Sequence, residues 1–236
     1  MTVYTPDLDA IFTCLAATCP RLTTPEQRVG LELYRRLARG APVYPQRVAD
    51  SLETTSGDLL TMLDGGGLRN LVCYDRDRRI IGFGGLSVAQ TVHRFTVDGR
   101  TLYTWCAWDA LFIPELLEVT ADVRSACPRT GATIRLSVTP ERIISAEPSE
   151  TVVSFLLPSA ALGRSTTAES IASFCDHVRF VASPADGRGW AAPRVGMFLL
   201  SLDDAFCLGK MYNARRFGAA LDDAAGSPDR RAPSAA

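Results

Sequence analysis

The chain has 236 residues, 47% of them hydrophobic and 22% charged, which argues against a disordered or fibrous protein. Lys plus Arg (25) against Asp plus Glu (26) leaves a net charge of -1, without the basic surplus expected of a nucleic-acid binder or a membrane-surface protein. Seven cysteines cannot all pair within one chain. Met1-Thr2-Val3-Tyr4 also lacks the basic-then-apolar pattern of a signal peptide, so the reading is a soluble cytoplasmic protein with reduced thiols.

In chain order, residues 7–18 place Leu8, Ile11, Phe12 and Leu15 on one helical face. A second helix starts at Thr24-Pro25-Glu26, with Thr24 as N-cap, and ends at Gly40. Pro45–Leu52 reads as a third, and Ser56 caps a fourth that ends at Gly65-Gly66-Gly67. Two short strands, Leu71–Tyr74 and Ile80–Phe83, flank a charged turn, so the region predicts a winged-helix-like module of three helices and a ribbon over residues 1–85. Between Pro45 and Asp64 there is one basic residue, Arg47, against Asp50, Glu53, Asp58 and Asp64; such a helix repels phosphates, and no nucleic-acid partner is expected. Gly82-Phe83-Gly84-Gly85 is followed by no helix and reads as a flexible strand end, not a phosphate cradle.

Residues 86–221 predict an α+β domain with a mixed, mainly antiparallel sheet and flanking helices. Asp98-Gly99 between Phe95-Thr96-Val97 and Thr101-Leu102-Tyr103 predicts a hairpin. A short helix over 107–117 follows, then strands at Val119–Arg124, Ala132–Val138 and Thr151–Leu157. Residues 166–173 read as helix, Phe174–Ala182 and Met197–Leu200 as strands, and Asp203–Phe217 as the last helix. Residues 222–236 lack apolar periodicity and are expected to be a disordered tail.

No Cys-x-x-Cys pair occurs, and the two histidines, His93 and His177, cannot make a His-rich metal site. Cys73 and Cys207 lie in apolar segments and read as packing residues. Cys106, in Trp105-Cys106-Ala107-Trp108-Asp109, sits at a predicted helix start, where the helix dipole lowers a thiol pKa. Asp109 is three residues on, positioned to take the thiol proton and return it; a plain first-turn acid is the alternative. Cys175 opens the alternating segment Phe174–Phe180.

Leu102-Tyr103-x-Trp105-Cys106-Ala107-x-Asp109-x-Leu111-x-x-Pro114, the Cys127 turn ending at Thr130-Gly131, Ala146-Glu147-Pro148, Phe174-Cys175-x-His177-Val178 and Ala205-Phe206-x-Leu208-Gly209 form an ordered series. Over residues 100–213 it resembles the organomercurial lyase (alkylmercury lyase) family, and the N-terminal helices match more loosely. The resemblance implies protonolysis of a carbon–mercury bond in mercury detoxification, with Cys106, Asp109 and Cys175 as the catalytic residues and the groups around mercury. It leaves Cys127 a structural role and Trp105 and Trp108 in the substrate pocket. No prosthetic cofactor is implied, because mercury is substrate and product. External low-molecular-weight thiols would release Hg(II), or mercuric reductase would receive it, and a monomer or homodimer is expected. Three rival readings stay open: a cysteine hydrolase pairing Cys106 with His177, a metal-responsive winged-helix regulator, and a redox switch between Cys106 and Cys175.

Overall fold

Side-chain caps set the N-terminal helices. In a computed structural model that describes residues 7–19, 21–158 and 166–225, Asp7 caps α1 (Leu8–Thr18) by accepting from the Asp9 amide at 3.0 Å. The N-cap of helix α2 (Thr24–Leu37) lies one residue before the expected one: it is Thr23, because Glu26, three residues on, closes a reciprocal capping box with it. The same offset occurs in α4 (Ser56–Asp64), where Thr55 rather than Ser56 accepts from the Asp58 amide at 3.1 Å. Between them lies α3 (Pro45–Ser51), started by its proline.

Strands β1 (Val72–Tyr74), β2 (Ile80–Phe83), β3 (Leu86–Ser87), β4 (His93–Val97), β5 (Arg100–Thr104), β6 (Ala121–Ala126), β7 (Thr133–Val138) and β8 (Ile143–Glu147) form an eight-stranded antiparallel sheet in the order β1-β2-β3-β5-β4-β6-β7-β8. A second antiparallel sheet orders β9 (Val152–Leu156) between β10 (Phe180–Val181) and β11 (Met197–Ser201). The fold is thus α+β and mainly antiparallel. Strand β6 alternates buried and exposed residues along its length, the signature of a sheet with one face on the core.

Helix α5 (Asp109–Leu117) and the long α8 (Leu202–Ala225) cross closely. Gly209 makes the approach possible: a Cβ there would sit 2.8 Å from the Phe112 Cβ. Pro114 lacks an amide proton, and Asn213 on α8 donates to the Phe112 carbonyl at 2.9 Å, tying the two helices across that irregular turn. Tyr34 of α2 packs edge-on to Phe83 and Phe217, so N-terminal helix, large sheet and α8 meet in one continuous hydrophobic core.

The structure differs from the sequence reading at four elements. Phe174–Ala182 is not one strand: Cys175–His177 make a 3-10 turn and only Phe180–Val181 pair with β9. The Ser154 hydroxyl donates to the His177 carbonyl (2.8 Å) and accepts from the Arg179 amide (3.0 Å), occupying groups a longer ladder would use. Strand β8, half exposed and without alternation, and helix α7 (Pro184–Ala191), capped by Ser183, went unread. Helix α8 continues through residue 225, into the expected tail, while residues 226–236 lie outside the described residues. Among the described residues no helix is long and apolar enough to cross a membrane.

Candidate active site

The turn from β5 into α5 carries Cys106 and is fixed on every side. Trp105 donates its amide to the Gly85 carbonyl at 2.8 Å, Thr104 Oγ1 donates to the Cys106 carbonyl at 2.8 Å, and the Ala107 amide donates to the Val178 carbonyl at 3.0 Å. The last bond joins the Cys106 turn directly to the segment carrying Cys175. Asp109 Oδ2 accepts from the Cys106 amide at 2.8 Å, so the carboxylate is held at the thiol it follows in sequence.

Cys175 arrives from the opposite direction, on the 3-10 turn after α6 (Thr167–Ser173). One ligand atom each from Cys106, Asp109 and Cys175 lies within 4.8 Å of the others. The three are buried, Cys106 completely, and all seven cysteines are free thiols. Soft sulfurs at this spacing suit a soft metal, the carboxylate adding a hard oxygen and a proton site.

Burial governs the titration of this cluster. Desolvation pushes the Asp109 carboxyl up to about 7, with hydrogen bonds to Cys106 opposing it. The Cys106 thiol is raised well above its ordinary range by burial, by its hydrogen bond with Cys175 and by the Asp109 charge. The dipole lowering expected at a helix start is outweighed: α5 begins only at Asp109, and Cys106 is sealed from water. Hydrogen bonding to Cys106 draws Cys175 down, yet burial and the charges of Asp109 and Asp176 leave it raised. Asp109 is therefore the most acidic member of the triad, able to accept a thiol proton and to hold it near neutral pH.

The cluster opens on a cavity of about 340 Å³ lined by Trp105, Trp108, Asp109 and Cys175, among others. Trp105 and Trp108 both face this cavity. Trp108 is locked by donation from Nε1 to the Ala205 carbonyl at 2.9 Å and by edge contacts with Phe112 and Phe155. The cavity also takes in Cys19, Tyr212 and Arg216, none of which the sequence reading singled out. Spacing could not show them, since α1 and α8 bring together residues 193 apart: the Cys19 thiol donates to the Tyr212 hydroxyl at 3.7 Å.

Gly85, expected only as a flexible strand end, has a defined place. Its φ is +102°, and an added Cβ would lie 2.5 Å from the Asp109 carboxyl carbon. The Gly-Gly turn between β2 and β3 leaves the space that the Asp109 carboxyl fills. Tyr34 secures that turn by donating its hydroxyl to the Gly84 carbonyl at 2.7 Å.

The His177 imidazole makes no hydrogen bond among the described residues, and Cys106 has Asp109 and Cys175 as partners, so the contact a Cys106–His177 hydrolase needs is missing. His93 is buried and held low, at about 3, by desolvation, with Nδ1 on the Ser125 hydroxyl at 2.9 Å. Cys127 is lowered because hydrogen bonds from Thr130, Ala182 and Arg129 outweigh its desolvation, consistent with a thiol that braces its turn.

Comparison with known proteins converges. The family model described as alkylmercury lyase matches residues 86–213, a span that contains Cys106, Asp109 and Cys175. The alkylmercury lyase of Pseudomonas putida is 40% identical over 179 residues, covering 76% of this chain and 80% of that protein. That of Staphylococcus epidermidis is 35% identical over 183 residues, covering 78% and 80%. In fold, the chain is similar to the mercury-bound form of MerB2, with a TM-score of 0.68 at 21% identity over 87% of this chain and 96% of that one.

Proposed function

Because the chain belongs to the alkylmercury lyase family, whose reaction is cleavage of the carbon–mercury bond, we propose that it works by protonolysis, with Cys106 and Cys175 as mercury ligands and Asp109 as the proton carrier. One observation supports this assignment above others: two thiols and a carboxyl poised near pH 7 lie within 4.8 Å of one another against a largely apolar cavity.

The steps balance as follows. Organomercurial R–Hg–X enters, and Cys106 replaces X on mercury while its proton passes to the Asp109 carboxylate. Coordination to a soft cation acidifies the second thiol, so Cys175 adds to mercury and its proton leaves with X as HX. Two thiolates put electron density onto mercury and weaken its bond to carbon. Asp109 then protonates that carbon, giving R–H, a regenerated carboxylate and Hg(II) held by both sulfurs. Raised thiol pKa values keep both sulfurs protonated until metal arrives. Low-molecular-weight thiols, or the cysteine pair of mercuric reductase, would then carry the ion away.

The test is hydrocarbon release. Phenylmercury with excess thiol should give benzene, and Cys106→Ser or Cys175→Ser should abolish it while Cys73→Ser does not. Absence of benzene from the wild type, or turnover surviving loss of either buried thiol, would refute the proposal.

A further inference from the structure

The cavity that receives the reacting cluster has a buried cation in its wall. Arg216 is 3% exposed and lines the cavity together with Asp109 and Cys175. Nη1 donates to the Tyr212 hydroxyl at 3.0 Å, and the guanidinium lies 5.1 Å and 5.3 Å from the ring centroids of Tyr212 and Phe217. Among the described residues Arg216 enters no ion pair, and its other side-chain nitrogens make no hydrogen bond. Glu26 feels its charge, but that carboxylate is already taken by the Thr23 amide and hydroxyl and the Gly67 amide.

A guanidinium stays protonated at any pH of interest, and two aromatic faces replace only part of the water it has given up. The protonolysis described above uses no such cation: its ligands and its proton carrier are complete without Arg216. A buried, uncompensated fork of N–H donors on a substrate cavity is instead the complement of a carboxylate.

On the reading that this cavity binds the organomercurial, we propose that Arg216 is its anion subsite and favours substrates with a carboxylate on either substituent of mercury. The carboxylate could sit on the carbon-bound group or on a thiol bound to mercury as R–Hg–SR′, and the recognition chemistry is the same. Arg69, exposed on the cavity rim and in no ion pair among the described residues, adds only a solvent-screened charge, so measurements at high salt isolate Arg216.

The test compares KM within two substrate pairs by hydrocarbon release at high salt. One pair is phenylmercury and 4-carboxyphenylmercury with excess 2-mercaptoethanol. The other is methylmercury with 3-mercaptopropionate or with 2-mercaptoethanol. In the wild type the carboxylate-bearing member of at least one pair should have a KM at least about tenfold lower, with similar kcat, and the responding pair tells which substituent carries the carboxylate. Arg216→Met should bring that ratio to about one while leaving KM for the neutral member within about twofold. Should Arg216→Met not fold, Arg216→Lys decides: losing the two-pronged fork should reduce the ratio several-fold. A wild-type ratio near one in both pairs, a ratio that survives Arg216→Met, or one unchanged in Arg216→Lys would overturn the proposal. Each of these outcomes requires hydrocarbon from the neutral substrates, so failure of the lyase reading itself would be seen separately, as no product at all.

Discussion

Asp109 Oδ2 accepts a 2.8 Å hydrogen bond from the backbone amide of Cys106, so the carboxyl proposed to carry the proton also caps the turn that presents the thiol proposed to bind mercury first. This double employment dictates how the residue should be replaced. An asparagine in its place would keep an oxygen acceptor for the amide and so preserve the turn, but could neither take nor return a proton. Asp109→Asn should therefore retain stoichiometric capture of phenylmercury, seen as a mass adduct, while benzene release falls by about 10²–10⁴-fold, the range for loss of a general acid. Normal turnover in this variant would show that another group delivers the proton.

The same carboxyl should set a pH dependence of stability. Its folded pKa, about 7, lies above the ordinary 3.8, so between these values the native state holds a proton that the unfolded state has released. Stability from this group is complete below about pH 4 and is lost as pH rises through about 7. Asp109→Asn removes that loss, so its stability relative to wild type should grow from pH 4 to pH 8, by up to about 4 kcal/mol for a shift of some three units. Urea unfolding midpoints of both proteins at the two pH values measure it. A gap that stays constant would mean that Asp109 titrates normally.

Gly85 and Gly99 form a matched pair of positive-φ glycines, at +102° and +73°. A Cβ on Gly99 meets nothing within 4 Å, whereas on Gly85 it strikes the Asp109 carboxyl. Both alanine variants should lose about 1–2 kcal/mol to backbone strain. Only Gly85→Ala should also reduce kcat, by about tenfold or more, because it displaces the Asp109 carboxyl, the proposed proton carrier. Equal kcat in the two variants would deny Gly85 its part in shaping the site.

The contrast between these glycines shows what the sequence could carry. Asp98-Gly99 announced its hairpin because turn chemistry is local, and Cys106 and Asp109 were readable as a pair because three residues separate them. The helices were legible from their apolar faces, and their caps were misplaced by one residue where a reciprocal Thr–Glu pair decided the start. Gly85 beside Asp109, Cys19 beside Tyr212 and Arg216 in the cavity wall are tertiary meetings of distant segments, with no periodicity to betray them. Cys175 lies beside Cys106 on a 3-10 turn, where the alternation of Val178, Phe180 and Ala182 predicts a strand.

Ser154 is what breaks that alternation. Its buried hydroxyl bonds both the His177 carbonyl and the Arg179 amide, bracketing the turn that delivers Cys175 to Cys106. Ser154→Ala strips both groups of a partner away from water, and an unsatisfied buried group costs about 1–3 kcal/mol. The turn should relax toward other partners and carry Cys175 with it. Because Cys106 keeps its bonds to Thr104 and Asp109 and its turn loses at most the tie from the Ala107 amide to the Val178 carbonyl, the first capture of mercury should survive while the second sulfur arrives poorly. Ser154→Ala should therefore form the phenylmercury adduct at the wild-type rate but release benzene about tenfold or more slowly, and Ser154→Thr, which restores the hydroxyl, should recover most of the rate. Adduct formation and benzene release slowed together would place the serine's effect on both thiols and remove it as the support of Cys175 alone.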